Sequence, residues 1–412
     1  MNPKGRTILL FLLLQVCFGA NTQAQVTGCT DPMAVNYQPA ATKNDGSCMY
    51  QSASAAAAST FRLPDSLAES SGLLLHRGFL WSHNDDTDPG LYFWKPDATP
   101  VPGRKTISGV KNNDWEDLTR DDSYYYIGDF GNNGSGNRRN LNILRMADPS
   151  LQGTTLRADT IFFSYEDQKD FTAQAGNSTD FDCEAMIAYG DSLYLFTKQW
   201  LSQNTACYVL PKTPGTHIAR LRESFDVQGL ITGATVLPDR RLLMLCGYSK
   251  MLQPFVYLCY DFEGRNFFSG NKRKLNLDLG FHQVEGISTE NGLDVYVSNE
   301  QLRQFFTVAP QIHRLDLRPY LSAYLSNSGK KPYEHWVAGC SVFIQGQHLY
   351  LHTPSNLVSA PWKIINSEGR QLDSGILKEQ HSVIPVHHLP EGLYYLSIGS
   401  GASTYSIKWM KQ

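Results

Sequence analysis

A chain of 412 residues is too long for one ordinary small domain, and its formal net charge of −3 gives no bulk electrostatic argument for nucleic acid or an anionic membrane. The 42% of hydrophobic residues is enough for a sizeable core, and 21 Tyr with 20 Phe bias it toward strands. The 33 Gly and 20 Pro fit many turns.

Residues 1–24 read as a secretory signal peptide. Lys4 and Arg6 give a positive start, residues 8–14 are apolar, and Thr22, Gln23 and Ala24 offer a cleavage site ahead of Gln25. The apolar run is too short to cross a bilayer, and no later stretch is apolar enough to be a membrane helix. Gln15 and Val16 stand before Cys17 where a lipoprotein would carry small residues. The expected location is secreted or on the outer cell surface. An oxidising compartment permits disulfides. Cys29 and Cys48 are expected to pair. Cys183 with Cys207 and Cys246 with Cys259 are either further pairs or buried thiols, leaving Cys340 over.

Residues 28–50, GCTDPMAVNYQPAATKNDGSCMY, are too few and too polar to own a core. Asp31, Asn36, Asn44 and Asp45 are hard oxygen donors of the kind calcium takes. A plain disulfide loop closed by an Asx turn accounts for the same residues. The Cys29-Thr-Asp-Pro and Asp45-Gly-Ser-Cys48 ends resemble short modules of secreted Bacteroidetes proteins, which are similar to thrombospondin type 3 calcium repeats. Lys43 and Asn44 depart from that pattern, where Asp is common. Residues 51–60, QSASAAAAST, read as a low-complexity linker.

Residues 61–317 carry a recurring pattern: a glutamate, a short apolar run, a second run and a polar tip. Its copies begin at Glu69, Glu116, Glu184 and Glu285, with a copy lacking the acid at Thr232, so the starts lie 47, 68, 48 and 53 residues apart. Spacing near 50 with several short strands per unit is the mark of a β-propeller. Five units are visible, and the long gap leaves room for a sixth. The last unit lacks a fourth strand. The segment TFRL at 60–63 is placed to supply it and close the ring. The LWSHND, NNDWEDLT, YIGDFGNN and DCEAM stretches resemble secreted propeller-like proteins of Bacteroidetes, a likeness that implies a shared site without naming its activity.

Residues 318–335 read as a connector, and residues 336–412 as a small β-sandwich of alternating strands. The run WKIINSEGR at 362–370, LPEGLYYLSI at 389–398 and the terminal KWMK at 408–411 resemble the C-terminal sorting domain of type IX secretion cargo. That resemblance implies the type IX secretion machinery as a partner and export across the outer membrane.

In a propeller the start of each first strand and the end of each second strand share one mouth of the central channel. The repeat therefore gathers Glu69, Trp115, Glu116, Asp182, Glu184 and Glu285 with His83, Asn84, Asp85, Asp129, Asn132, Lys198, Trp200, Asn299 and Glu300. Three readings follow. The acids bind a ligand or a metal such as Ca2+. Alternatively, two carboxylates hydrolyse a glycan or phosphate ester, with Trp115 and Trp200 stacking a sugar. Or the glutamates are structural and accept hydrogen bonds from backbone N–H groups of neighbouring strands. Motifs for a phosphate loop, a kinase, a serine nucleophile elbow or a zinc protease are missing.

Overall fold

The computed structural model describes residues 25–411 apart from 304–305, 329–334, 338–339, 346, 354–356, 380 and 400–404. The expected signal peptide, residues 1–24, lies outside the described residues.

Five antiparallel units of four strands surround an axis. Unit one is Ser70–His76, Phe79–Asn84, Gly90–Trp94 and Gly103–Ile107; unit two is Trp115–Arg120, Tyr124–Asp129, Asn142–Ala147 and Asp159–Tyr165. Unit three is Asp182–Tyr189, Ser192–Lys198, Thr205–Pro211 and Gly215–Phe225; unit four is Leu230–Leu237, Leu242–Tyr248, Pro254–Tyr260 and Asn271–Leu277. Unit five takes Val284–Ser288, Asp294–Asn299 and Gln311–Asp316 from one end of the repeat region and Ala57–Arg62 from the other. The fold is an all-β propeller. The burial pattern explains the layering. Asp182–Tyr189 is buried at almost every position because an inner strand is covered on both faces. Asp159–Tyr165 alternates, with Ile161, Phe163 and Tyr165 inward and Phe162 exposed, as an outer strand with one solvated face does.

First strands of adjoining units lie side by side around the ring. Ser71 Oγ donates to the Glu116 carbonyl at 2.6 Å, the Ala188 N–H to Thr119 Oγ1 at 3.3 Å, and the Leu75 N–H to Ser288 Oγ at 2.7 Å, sealing unit five to unit one. The gap between Glu116 and Glu184 holds no sixth unit: residues 166–181 contain no strand. Units two and three instead join at their outer edges, where Ile161–Tyr165 pairs in parallel with residues 215–219.

Two sequence expectations need correction. Residues 51–60 are not a linker. Ala53–Ala55 pairs in parallel with Leu275–Leu277 of unit four, and Ala57–Arg62 completes unit five, with Phe61 opposite Ile312. The alanine run looked featureless, yet its small side chains fit the narrow space between units, where Ala53, Ala55 and Ala57 pack with Leu275 and Leu315. The connector begins as an α-helix, Arg318–Ser328. Leu317, Leu321 and Leu325 recur every four residues and enter the core of units four and five. The Tyr320 and Tyr324 hydroxyls donate to the Ser54 and Arg240 carbonyls, each at 2.6 Å.

The Cys29–Cys48 disulfide is formed. Cys183, Cys207, Cys246 and Cys259 are buried thiols. The 246–259 pairing fails on register, since Cys246 faces Val256 and Cys259 faces Leu243. Cys183 faces Thr197 and Cys207 faces Phe196, so the 183–207 pairing fails too. Within the small module the expected calcium donors make hydrogen bonds of their own. Asp31 accepts from the Tyr50 hydroxyl at 2.7 Å and from the Tyr260 hydroxyl of unit four. Asn36 bridges the Ser47 carbonyl and the Met49 N–H, both at 2.8 Å. Asn44 Nδ2 donates to Asn271 Oδ1 at 2.9 Å, and Asp45 accepts from the Ser47 N–H at 3.0 Å. These side chains shape turns and dock the module on unit four.

The C-terminal sandwich has two four-stranded sheets: His335–Val337, Cys340–Gln345, His348–His352 and His381–Pro385, and Gln371–Ile376, Pro361–Asn366, Gly392–Ile398 and Tyr405–Lys411. Leu349, Ile364, Ile384, Leu396 and Trp409 form their shared core.

Candidate functional site

Every first strand is bulged near its start, and the bulge builds the site. In unit two Asp129 faces Trp115 and Gly128 faces Asp117, so Glu116 has no partner. In the same way Glu184, Thr232 and Glu285 lie between paired residues in units three, four and five. A bulged residue leaves the ladder and its side chain is re-aimed. Glu116, Glu184 and Glu285 are thereby buried in the channel. Glu69 is not their equivalent. The bulge of unit one lies between Ser71 and Leu74, and Glu69 precedes the strand. The repeat aligned it three residues out of place because unit one carries Gly72 and Leu73 at that position.

The second strands end at Asn84, Asp129, Lys198, Tyr248 and Asn299, opposite Ser70, Trp115, Asp182, Leu230 and Val284. Lys198 Nζ lies 3.2 Å from Glu184 Oε1, 4.9 Å from the centre of the Trp200 ring and 5.3 Å from that of Tyr248. Burial opposes the charge on Lys198, but Glu184, Glu285 and Asp182 hold the ammonium above its usual range. The Trp200 indole N–H donates to Asp182 Oδ2 at 2.8 Å.

Where units one and five meet, carboxylate oxygens of Glu69, Asp85 and Glu300 lie within 4.8 Å of one another. Gln283 Nε2 donates to Glu300 Oε1 at 2.6 Å. Glu285 is 6% exposed, and among the described residues its Oε2 has no hydrogen-bond partner. Burial, reinforced by neighbouring carboxylates, pushes Asp85 up to about 7 and Asp114 up to about 6. Burial likewise raises Glu300 to about 8, with Asp85 and Glu69 adding to it, and Glu285 to about 8, with Lys198 opposing. Burial and the Glu184 carboxylate raise Glu116 well above its usual range. The mouth is crowded with carboxylates that their protein surroundings leave short of positive charge.

Other expected site residues serve the scaffold. Trp115 is fully buried and packs with Leu118 and Ile127, so it offers no face to a sugar. His83 is buried against Trp115, and burial lowers it to about 4, so it stays neutral. Asn84 Nδ2 donates to the Ser66 carbonyl at 3.0 Å. Asp129 is held by Asn113 at 2.6 Å and Arg138 at 2.7 Å. Asn132 ties its loop to Asp182 and to the Phe181 carbonyl. Asn299 bonds the Ala309 carbonyl at 2.9 Å and His313 Nε2 at 3.0 Å.

The structure gives the strand-capping role expected of the glutamates to Asp117, which the repeat pattern missed. Its Oδ2 accepts the Met186 N–H at 2.6 Å and the Ala234 N–H at 3.3 Å, and its Oδ1 accepts the Leu118 N–H at 2.8 Å. One carboxyl thus ties three first strands. Asp114 and Tyr248 were missed as well. Asp114 is in the NNDWEDLT stretch beside Trp115, and Tyr248 is in the GYS tip of the unit that lost its acid.

No protein-family model matches the chain, and no curated protein matches it. Among solved structures it is similar to Myxococcus xanthus glutaminyl cyclase, at 10% identity and TM-score 0.40 over 65% of this chain and 99% of that one. It is similar to the exo-β-1,3-galactanase of Phanerochaete chrysosporium, at 8% identity and TM-score 0.39 over 90% and 92%. A third likeness is to PorZ, a surface component of the type IX secretion system of Porphyromonas gingivalis, at 10% identity and TM-score 0.30; it covers 83% of this chain and 44% of PorZ. At these scores none of the three bears on ligand or reaction.

Proposed function

We propose that the chain is an exported propeller that binds a positively charged ligand at the channel mouth. The observation that carries this reading is the gathering of Glu69, Asp85 and Glu300 beside a Glu285 oxygen that has no partner among the described residues. Carboxyls raised by burial and mutual repulsion are relieved when a cation joins them. Ca2+, which takes carboxylate oxygens, is the metal to test first. The loss of Trp115 as a stacking face favours binding over glycan hydrolysis.

The pH dependence has a definite sign. The raised carboxyls stabilise the fold fully below their unfolded values, about 4. That contribution is lost as pH rises through the values of about 7 and 8 held by Asp85, Glu285 and Glu300. A bound cation opposes the loss. Calorimetry and thermal melts with Ca2+, Mg2+ and lysine amide should show affinity rising about ten-fold or more from about pH 6 to about pH 9. Glu285→Gln and Glu300→Gln should weaken cation binding and raise the melting temperature of the ligand-free protein at alkaline pH. If both variants melt lower and bind cations unchanged, the acids are structural and the reading fails.

Export rests on the N-terminal signal pattern and on the likeness of residues 336–412 to type IX sorting domains. Deleting those residues should trap the protein in the periplasm of a host with that system. Surface delivery of the shortened chain would overturn this part of the reading.

A further inference from the structure

The mouth is acidic on one side and apolar on the other. Leu201 follows the second strand of unit three, and Met251 follows that of unit four. Phe281 precedes the first strand of unit five, and Phe306 lies in the loop after its second strand. All four loops open on the end of the channel where Glu285 and Glu300 stand. These side chains are exposed by 63%, 81%, 55% and 42%. The Phe281 and Phe306 rings meet edge to face at 5.0 Å, so these two form one patch, and Leu201 and Met251 stand on the loops of the adjoining units. Large apolar side chains grouped on one face mark an interaction surface. Units one and two offer Asp85, Asp86, Asp88, Asn132 and Asn133 at the same end, so the apolar rim belongs to units three to five.

A bare metal ion would use the carboxylates and leave this rim without a role. The chain itself shows what the mouth does with an organic cation. The Lys198 ammonium sits 3.2 Å from a carboxylate oxygen with the Trp200 and Tyr248 rings at 4.9 and 5.3 Å. That is how an ammonium is held where charge and aromatic faces combine. Beside it, Glu285 Oε2 is buried without a partner among the described residues, and the Glu69, Asp85 and Glu300 oxygens converge.

We propose that the mouth docks a protein segment in which a lysine or arginine stands next to large apolar residues. The basic side chain enters among Asp85, Glu285 and Glu300, and its apolar neighbours lie on Leu201, Met251, Phe281 and Phe306. This rests on the reading that the mouth takes a positive charge. It adds the class of ligand: a peptide stretch recognised by charge complementarity at the centre and apolar contact at the rim.

The test uses the full mature chain and a blocked peptide, acetyl-Gly-Phe-Lys-Leu-Gly-amide, with two controls. One has norleucine in place of lysine, and the other has serine in place of phenylalanine and leucine. Calorimetry at pH 8 should show each control binding about ten-fold more weakly than the parent. Met251→Ser with Phe281→Ser should weaken the parent peptide about five-fold or more and leave Ca2+ or lysine amide binding and the melting temperature unchanged. Glu300→Gln should weaken all three probes. The proposal is overturned if the norleucine peptide binds as well as the parent, if the rim variant leaves peptide affinity intact, or if Ca2+ or lysine amide binds and the peptide does not. In that last case the cation reading survives alone. If no probe binds, both fall.

Discussion

Removal of residues 25–62 is expected to destabilise the propeller severely. The outer strand of unit five would be missing, and Gln311–Asp316 would present an open edge of unpaired N–H and C=O groups. The loss is larger than one ladder. Ala55 and Ala57 leave the core between units four and five, and Thr60 Oγ1 leaves its 2.8 Å contact with His313. Ladder hydrogen bonds contribute about 1 kcal/mol each in net terms, so the ladder alone is worth several kcal/mol. A propeller of this size would lose about 10 °C or more in melting temperature, and its edge would aggregate. Removing only residues 25–52 should cost less, because both closing strands remain. A synthetic peptide spanning 53–63, added in trans, should restore part of the stability by strand addition. Thermal melts with sedimentation would check all three. A soluble truncated protein melting within about 3 °C of the chain that keeps residues 25–62 would show that closure is dispensable.

Asp117→Ala is expected to be the most damaging single substitution in the channel. Three N–H groups, of Leu118, Met186 and Ala234, would lose their acceptor in a place without solvent, since Asp117 is fully buried. An unsatisfied buried donor costs about 1–3 kcal/mol, so the three together approach the stability of an ordinary domain. Asp117→Asn keeps one oxygen and should fall between the two. Amide exchange would locate the damage: the Met186 and Ala234 amides should lose protection before those of the outer strands. An alanine variant with an unchanged melt would mean that the inner strands hold together without this tie.

How much of this was legible follows from which interactions leave a trace at fixed spacing. The strand pattern did, because each unit rebuilds the same sheet, and the missing fourth strand of unit five pointed back to TFRL at 60–63. The glutamates at 116, 184 and 285 were legible because the bulge recurs at one place. Glu69 misled because it stands near that place in sequence and outside it in the ladder. Asp117 left no periodic trace: one carboxyl serves units two, three and four, so units three and four need no counterpart. Trp115 shows the limit of reading a residue type as a role. Beside Glu116 it resembled a platform, yet Trp115 stays paired in the ladder and buried in the core while the bulge re-aims Glu116. The alanine strand and the Arg318–Ser328 helix were hidden because low complexity and a Ser/Asn-rich end outweighed a plain four-residue leucine spacing.

The bulges have a consequence for how such a protein changes over time. A residue that has left the ladder is free of the register that constrains its neighbours, so substituting it disturbs little of the sheet. Units two, three and five carry an acid there, unit four carries Thr232, and unit one has glycine and leucine. Units two, three and five thus offer a set of mutationally tolerant addresses around one axis, whereas Gly72 holds a positive φ against His83 and Thr232 bonds the Val284 carbonyl. Lineages can rewrite the contents of the channel one residue at a time and keep the ring that presents them.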